Sequence, residues 1–127
     1  MGVELDQESF ARGWDRGMGT PTPPIAGAFG EFAGAIAFGD VWNRERLSDR
    51  ERRLIILTVL ALWGREDICS MHLGASIRKG EFDADDLDEI AITLTAYAGM
   101  PVGTAFAAMS ARLRAELGDE VEGADGG

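Results

Sequence analysis

The stretch SDRERRLIILTVLALWG, residues 48–64, predicts the strongest helix of the chain. Ser48 and Glu51 have the spacing of a capping box, in which two backbone amides at a helix start are satisfied by side chains. The segment 54–62 is apolar on every side, so we expect this helix to be buried all round. Gly64 suits its end. A chain this small buries such a helix only if subunits pack around it, which predicts a homo-oligomer.

On the N-terminal side, the pattern predicts a short helix followed by a break. Phe10 and Trp14 lie four residues apart, on one face of a helix over residues 6–18. The segment 17–24, GMGTPTPP, cannot be helical throughout because it combines glycine with proline. We therefore predict an N-terminal arm over residues 1–25 that carries one short helix.

The next segment combines aromatic residues with glycines at helical spacing. Residues 25–42 read IAGAFGEFAGAIAFGDVW, with glycines at 27, 30 and 34 on one side. Each glycine costs a helix about 1 kcal/mol relative to alanine, so we expect another backbone to approach closely there. A phosphate-binding loop is the alternative, but the segment has neither a preceding strand nor a lysine.

Three more helices are predicted on the C-terminal side. One covers residues 65–79 and ends at Gly80. The next is capped by Asp83, with Asp86 at the third helical position, and ends near residue 99. Pro101 suits the first turn of the last helix, which is predicted to end near Leu117. No strand pair or tandem repeat is visible in the sequence, so the predicted fold class is all-α.

Composition restricts the possible partners. The net charge of −10 disfavours nucleic acid and anionic membranes, which would repel the chain. One cysteine allows no internal disulfide, which fits a cytoplasmic location. The N-terminal residues MGVELDQESFARG lack the basic and apolar regions of a secretory signal, and no stretch is predicted to span a bilayer. Residues 118–127 contain too few apolar side chains to order themselves, so we predict a disordered acidic tail.

The only histidine and the only cysteine lie three residues apart in the predicted helix 65–79. His72 shares a face with Arg65 and Lys79 and could carry a proton or act as an electrophile, or could simply bind a backbone carbonyl. A Cys69–His72 nucleophilic pair is geometrically possible, although a buried inert thiol is the simpler interpretation. One histidine and one cysteine make a poor metal site, so no metal is predicted.

Arginines crowd the start of the apolar helix. They stand at positions 44, 46, 50, 52 and 53, with acidic residues between them. Most of these are expected to form surface ion pairs that contribute little to stability. One or two could instead face an interior pocket, where a guanidinium would need a carboxylate from the protein or from a ligand.

Three segments together resemble the carboxymuconolactone decarboxylase family. They are FGDVWNRERLSDRERRL at 38–54, REDICSMHLGASIRKG at 65–80 and YAGMPVGTAF at 97–106. The resemblance covers about residues 28–110. It implies an alkyl hydroperoxidase D-like bundle of about five to six helices over residues 26–117, assembled into trimers or hexamers.

The resemblance also argues against thiol peroxidase chemistry. Peroxidase-type relatives carry C-x-x-C before the histidine, and Arg65 and Ile68 stand where those cysteines would be. The upstream acid of that branch would fall near Arg53, so it is lost as well. Cys69 is out of register with the motif.

For function, the resemblance implies a cofactor-free decarboxylase of a carboxylated γ-lactone, such as 4-carboxymuconolactone, in the breakdown of aromatic acids. In that chemistry a donor stabilises the developing oxyanion and an acid protonates the α-carbon, and His72 is the candidate for one of these roles. The catalytic residues implied are His72 and Arg52. The substrate-binding residues implied are Arg44 and Arg46 for carboxylates, and Trp42 and Tyr97 for apolar walls.

Two departures from the family pattern leave other functions open. Decarboxylases usually read like E-L-R-L-H before the histidine, whereas this chain has Ile68-Cys69-Ser70-Met71-His72. The usual Pro-Gly after Arg44 is Glu45-Arg46. The alternatives are a lyase, isomerase or cyclase that acts on another small acid in a biosynthetic pathway, and a non-catalytic oligomeric binding protein.

Overall fold

A computed structural model describes residues 4–125 and the side chains of residues 4–118. Across these residues the structure is all-α and contains no strand, which confirms the predicted fold class. The helices are α1 (Gln7–Gly17), α2 (Gly27–Ala37), α3 (Asp49–Leu62), α4 (Glu66–Arg78), α5 (Ala84–Ala98) and α6 (Met100–Asp125), with a 3₁₀ turn at Val41–Asn43. No helix in this part of the chain is long and apolar enough to cross a membrane.

The chain divides into two compact units, with the boundary between Glu51 and Arg52. This differs from the predicted arm over residues 1–25 and helical domain over residues 26–117. The predicted division into arm and domain stays a prediction.

The predicted capping box of α3 is present, and the predicted cap at Asp83 of α5 is part of a second one. The Ser48 hydroxyl accepts a hydrogen bond from the Glu51 amide at 3.0 Å, and the Glu51 carboxylate accepts one from the Ser48 amide at 2.9 Å. At the start of α5, Asp83 and Asp86 exchange the same two bonds at 2.8 and 3.1 Å. These side chains replace partners that the first amides of each helix lack, so both helices begin where the sequence predicts.

The last helix is longer than predicted. It runs past Leu117 to Asp125, so residues 118–125 lie in α6 where the sequence predicts a disordered tail. The remainder of that predicted tail, 126–127, lies outside the described residues. Helix propagation adds one backbone bond for each residue fixed, which explains why a helix can continue beyond its last core contact.

The first unit is built around aromatic rings. The rings of Phe10 and Trp14 stack with centroids 5.9 Å apart, and Phe38 meets the Trp14 ring at 4.7 Å. The sequence predicts a close backbone approach at the glycines of α2, but the approach lies at Gly13 of α1. A Cβ at Gly13 would overlap the carbonyl oxygen of Phe38. Gly34 of α2 instead faces the Phe10 ring, where a Cβ would come within 3.1 Å.

The second unit has an apolar core formed by α3 to α6. Its fully buried members include Leu57, Leu73, Leu87 and Phe106. Helix α3 is not buried on every side in the single chain, because Ile55, Val59 and Leu62 are exposed. The single chain therefore does not show the burial on every side that the sequence predicts for α3.

Candidate functional site

His72 lies in α4 with only 8% of its surface exposed. Its Nδ1 atom lies 3.0 Å from Nη1 of Arg53, which is a residue of α3. Two helices of the second unit therefore bring an imidazole and a guanidinium into hydrogen-bond contact away from bulk solvent. The arginine in contact with His72 is Arg53, not the predicted catalytic residue Arg52.

Arg53 is completely buried and is held by a carboxylate. Its Nε and Nη2 donate to Oε1 and Oε2 of Glu81 at 2.8 and 3.2 Å, a two-bond geometry that matches the guanidinium fork. Glu81 follows the glycine turn after α4, where Gly80 adopts a φ of 69° and the Glu81 amide bonds the Ser76 carbonyl at 2.9 Å. A buried charge needs such a partner, and Glu81 supplies it.

The protonation of His72 follows from this contact. Burial, and then the positive charge of Arg53, lower the pKa of His72 to about 4. The imidazole is therefore neutral at pH 7. A guanidinium can only donate, so the hydrogen bond requires an unprotonated Nδ1 and leaves the ring proton on Nε2.

Neither Arg53 nor Glu81 was among the predicted site residues. The predicted catalytic arginine, Arg52, is also buried, at 7% exposure. The hydrogen bond to His72 comes from Arg53, while a role for Arg52 with substrate stays a prediction. No signal in the sequence favours Arg53 over Arg52, because each precedes an apolar residue by four positions, Leu57 and Ile56 respectively.

The predicted substrate-binding residues of the first unit have local roles there. Trp42 is a core side chain with 2% exposure, and a Cβ at Gly17 would lie 3.2 Å from its ring. Arg44 is exposed and pairs with Asp40 at 3.3 Å, and Arg46 is exposed. Their contact with a substrate remains a prediction.

Tyr97, the second predicted apolar wall, lies at the exposed surface of α5. Its exposure is 92% in the single chain. A side chain this open forms no wall within one subunit. A wall formed by Tyr97 would therefore require another molecule against it.

Cys69 lies beside a small cavity in the second unit. The cavity has a volume of about 100 Å³, and its walls come from α3, α4 and α6 and the turn between α3 and α4. The residues around it are mostly apolar: Leu60, Ala61, Gly64, Glu66, Cys69, Val102, Ala105, Phe106 and Met109. His72 is not among them. Burial, and then the charge of Glu66, raise the pKa of the Cys69 thiol to about 11, which favours the inert-thiol interpretation.

Among the described residues, no three or more histidine, cysteine, aspartate or glutamate side chains cluster so that they could hold a metal ion. The polar groups brought together around His72 are instead a guanidinium and a carboxylate. The guanidinium and the imidazole N–H can donate hydrogen bonds and so stabilise negative charge.

Comparison with known proteins gives the class of this chain. A sequence model described as the carboxymuconolactone decarboxylase family matches residues 27–111, and the chain belongs to that family. The predicted resemblance is therefore confirmed.

One curated relative carries a specific activity in its name. The chain is 36% identical over 90 residues to a protein named 4-carboxymuconolactone decarboxylase from Acinetobacter baylyi. The match covers 71% of this chain and 66% of the relative, slightly less than two thirds of its length. His72, Arg53 and Glu81 all lie within the residues that the family model matches.

Proposed function

We propose that this protein is a lyase that removes CO2 from a carboxylated γ-lactone, with 4-carboxymuconolactone as the first candidate substrate. Membership of the family and the name of the relative support a decarboxylase. The observation that carries the proposal is His72, a neutral and nearly buried imidazole beside a buried guanidinium. Such perturbed groups concentrate at functional sites.

The proposed reaction needs no cofactor. The bond between the ring carbon and the carboxylate breaks, CO2 leaves, and the electron pair moves through the ring alkene onto the lactone carbonyl oxygen. One proton is then taken up at carbon. Hydrogen-bond donors stabilise the oxyanion that develops, and a water-poor site favours loss of CO2.

In this proposal His72 acts on the lactone, and arginines bind the acidic groups of the substrate. Arg52 is the candidate for the reacting end because it is buried. Arg44 and Arg46 are candidates for a second carboxylate because they are exposed. A location in the cytoplasm and a role in aromatic-acid breakdown belong to the same proposal.

We also propose that the chain works as a homo-oligomer, a trimer or a hexamer. Ile55, Val59 and Leu62 are exposed and share one face of α3. Apolar side chains at this spacing on a surface helix are expected to be covered by another molecule. A second copy of the chain would also cover side chains such as Tyr97, which are open in the single subunit.

A second candidate function is favoured by the residues before His72. Ile68 and Ser70 stand where decarboxylases of the family usually carry an acid and an arginine. The protein could therefore act as a lyase, isomerase or cyclase on another small acid. This alternative predicts turnover of a different carboxylated lactone and none of 4-carboxymuconolactone.

The test is an assay of CO2 release from 4-carboxymuconolactone. His72→Ala should abolish turnover and leave the oligomer unchanged. Met71→Ala is the matched control, because Met71 is the exposed neighbour on the same helix and should retain wild-type activity. Full activity of His72→Ala would refute the role of the imidazole. Binding of the lactone without turnover by the wild-type protein would instead indicate a binding protein.

A further inference from the structure

Three side chains are linked by hydrogen bonds around His72: the Glu81 carboxylate, the Arg53 guanidinium and the His72 imidazole. Glu81 receives two hydrogen bonds from Arg53, which fixes the plane of the guanidinium. The third nitrogen of the same guanidinium, Nη1, lies 3.0 Å from Nδ1 of His72. The orientation of the imidazole is therefore coupled, through Arg53, to the Glu81 carboxylate.

The direction of these bonds determines which ring nitrogen carries the proton. Arg53 has only donors, so Nδ1 of His72 must accept. A doubly protonated imidazole would set one N–H group against another and would place a second cation beside a buried first one. The remaining proton therefore lies on Nε2.

We propose that Arg53 and Glu81 are positioning residues that hold His72 as the neutral Nε2–H tautomer, so that His72 donates a hydrogen bond to the developing oxyanion. This assignment rests on the proposed function, in which the oxyanion forms at the lactone carbonyl. A neutral imidazole can polarise a carbonyl in this way. The proton taken up at carbon then comes from water, which is left as hydroxide, because a neutral imidazole that keeps its Nε2 proton as a donor does not release it.

The tautomer of His72 can be measured directly, without overlapping signals from other histidines. His72 is the only histidine, so protein made with ¹⁵N-histidine and without a histidine tag gives signals from one imidazole. At pH 7 the expected spectrum shows an unprotonated Nδ1 and a protonated Nε2. A protonated Nδ1, or a doubly protonated ring, would overturn the proposal without any activity measurement.

Three variants test the positioning role. Glu81→Gln removes the carboxylate charge, and Arg53→Met removes every donor to Nδ1. Because either change leaves a buried partner behind and could prevent folding, the double variant Arg53→Met/Glu81→Met replaces the whole ion pair with apolar side chains of similar size. Each folded variant should show a mixture of His72 tautomers and a kcat reduced roughly 10- to 100-fold, as for loss of a group that orients a catalytic ligand.

The controls separate positioning from folding. Arg53→Lys keeps a donor within reach of Nδ1 and should recover part of the kcat lost in Arg53→Met. Arg65→Met removes an exposed arginine at the start of α4, which pairs with Asp67, and should leave both tautomer and kcat unchanged. A double variant with the wild-type tautomer and the wild-type kcat would overturn the role of Arg53 and Glu81.

The two proposals can fail separately. If the wild-type protein shows the Nε2–H tautomer but releases no CO2 from carboxylated lactones, the proposed reaction is wrong and the positioning by Arg53 stands. If the lactone is decarboxylated at full rate while the double variant shows no loss, the reaction stands and the positioning is wrong.

Discussion

Gly13 of α1 packs directly beneath the backbone carbonyl of Phe38, with no room between them for a side chain. Their contact brings the first helix against the turn that follows α2. The amide of Asn43 reinforces the same region, since its Nδ2 lies 2.8 Å from the Ser9 carbonyl and 3.0 Å from the Phe38 carbonyl. Backbone atoms cannot move aside as a flexible side chain can, so the glycine is required by space.

Gly13→Ala is therefore expected to destabilise the protein by about 1–3 kcal/mol or more, the usual cost of overpacking a tight contact. Gly118→Ala is the matched control, because it is also a helical glycine and a Cβ there would meet nothing within 4 Å. The control should be neutral or gain up to about 1 kcal/mol from helix propensity. Urea denaturation followed by circular dichroism measures both, and equal effects would contradict the contact.

The stability of the protein should depend on pH through His72. Its pKa is lowered from 6.5 to about 4 on folding, so the unfolded chain binds the proton more readily between these values. The stabilisation is complete above pH 6.5 and is lost as pH falls towards 4. The free energy of unfolding should drop by about 1.4 kcal/mol per pH unit in that window, or about 2 kcal/mol between pH 6.5 and pH 5.

His72→Gln is the control for this dependence, because a glutamine oxygen can accept from Arg53 but does not titrate. Carboxylates titrate in both proteins, so the difference between the two curves isolates the imidazole. Denaturation midpoints measured every half pH unit provide the comparison. Parallel curves for the two proteins would show that the ring is not held neutral by the fold.

The thiol of Cys69 should react slowly with alkylating reagents. Raising its pKa from 9.0 to about 11 lowers the thiolate fraction at pH 8 by about 100-fold, and burial reduces access further. Iodoacetamide labelling of native protein followed by mass spectrometry measures the rate, with urea-unfolded protein as the control. Cys69→Ser should retain nearly full activity. Rapid labelling, or a large loss of activity in the serine variant, would revive a nucleophilic thiol.

The exposed apolar face of α3 should control assembly. Val59→Glu places a charge between Ile55 and Leu62 and should lower the molar mass measured by light scattering towards that of a single chain. Ala84→Glu is the control, because Ala84 is exposed at the opposite end of α5 from Tyr97 and outside this face. An unchanged assembly in the Val59 variant would exclude this face from the interface.

The sequence predicted the helix starts well because the signals for them are local. Ser48 with Glu51, and Asp83 with Asp86, are pairs three residues apart whose bonds form within a single turn. Helix ends were less predictable. Nothing at Leu117 stops the backbone bonds, and α6 continues to Asp125.

The candidate site was predicted only in part because its contacts are distant in sequence. His72 was identified from its type and its place in the motif, but its partner was not. Arg52 and Arg53 are about 100° apart around α3, so they point to different surroundings. The residues after them are apolar on every side, which removes the periodicity that would show which arginine faces α4. Glu81 follows a glycine turn, and its reach back to Arg53 depends on tertiary packing.

Gly103 of α6 packs against the Thr95 side chain of α5, at a point where a Cβ would overlap the Thr95 hydroxyl. That hydroxyl donates to the Ala91 carbonyl at 2.8 Å, and Gly99 joins the two helices with a φ of 104°. Such a helical hairpin needs only short loop closure, so it is expected to fold early. Its inner amides should open to hydrogen exchange together, as one cooperative segment.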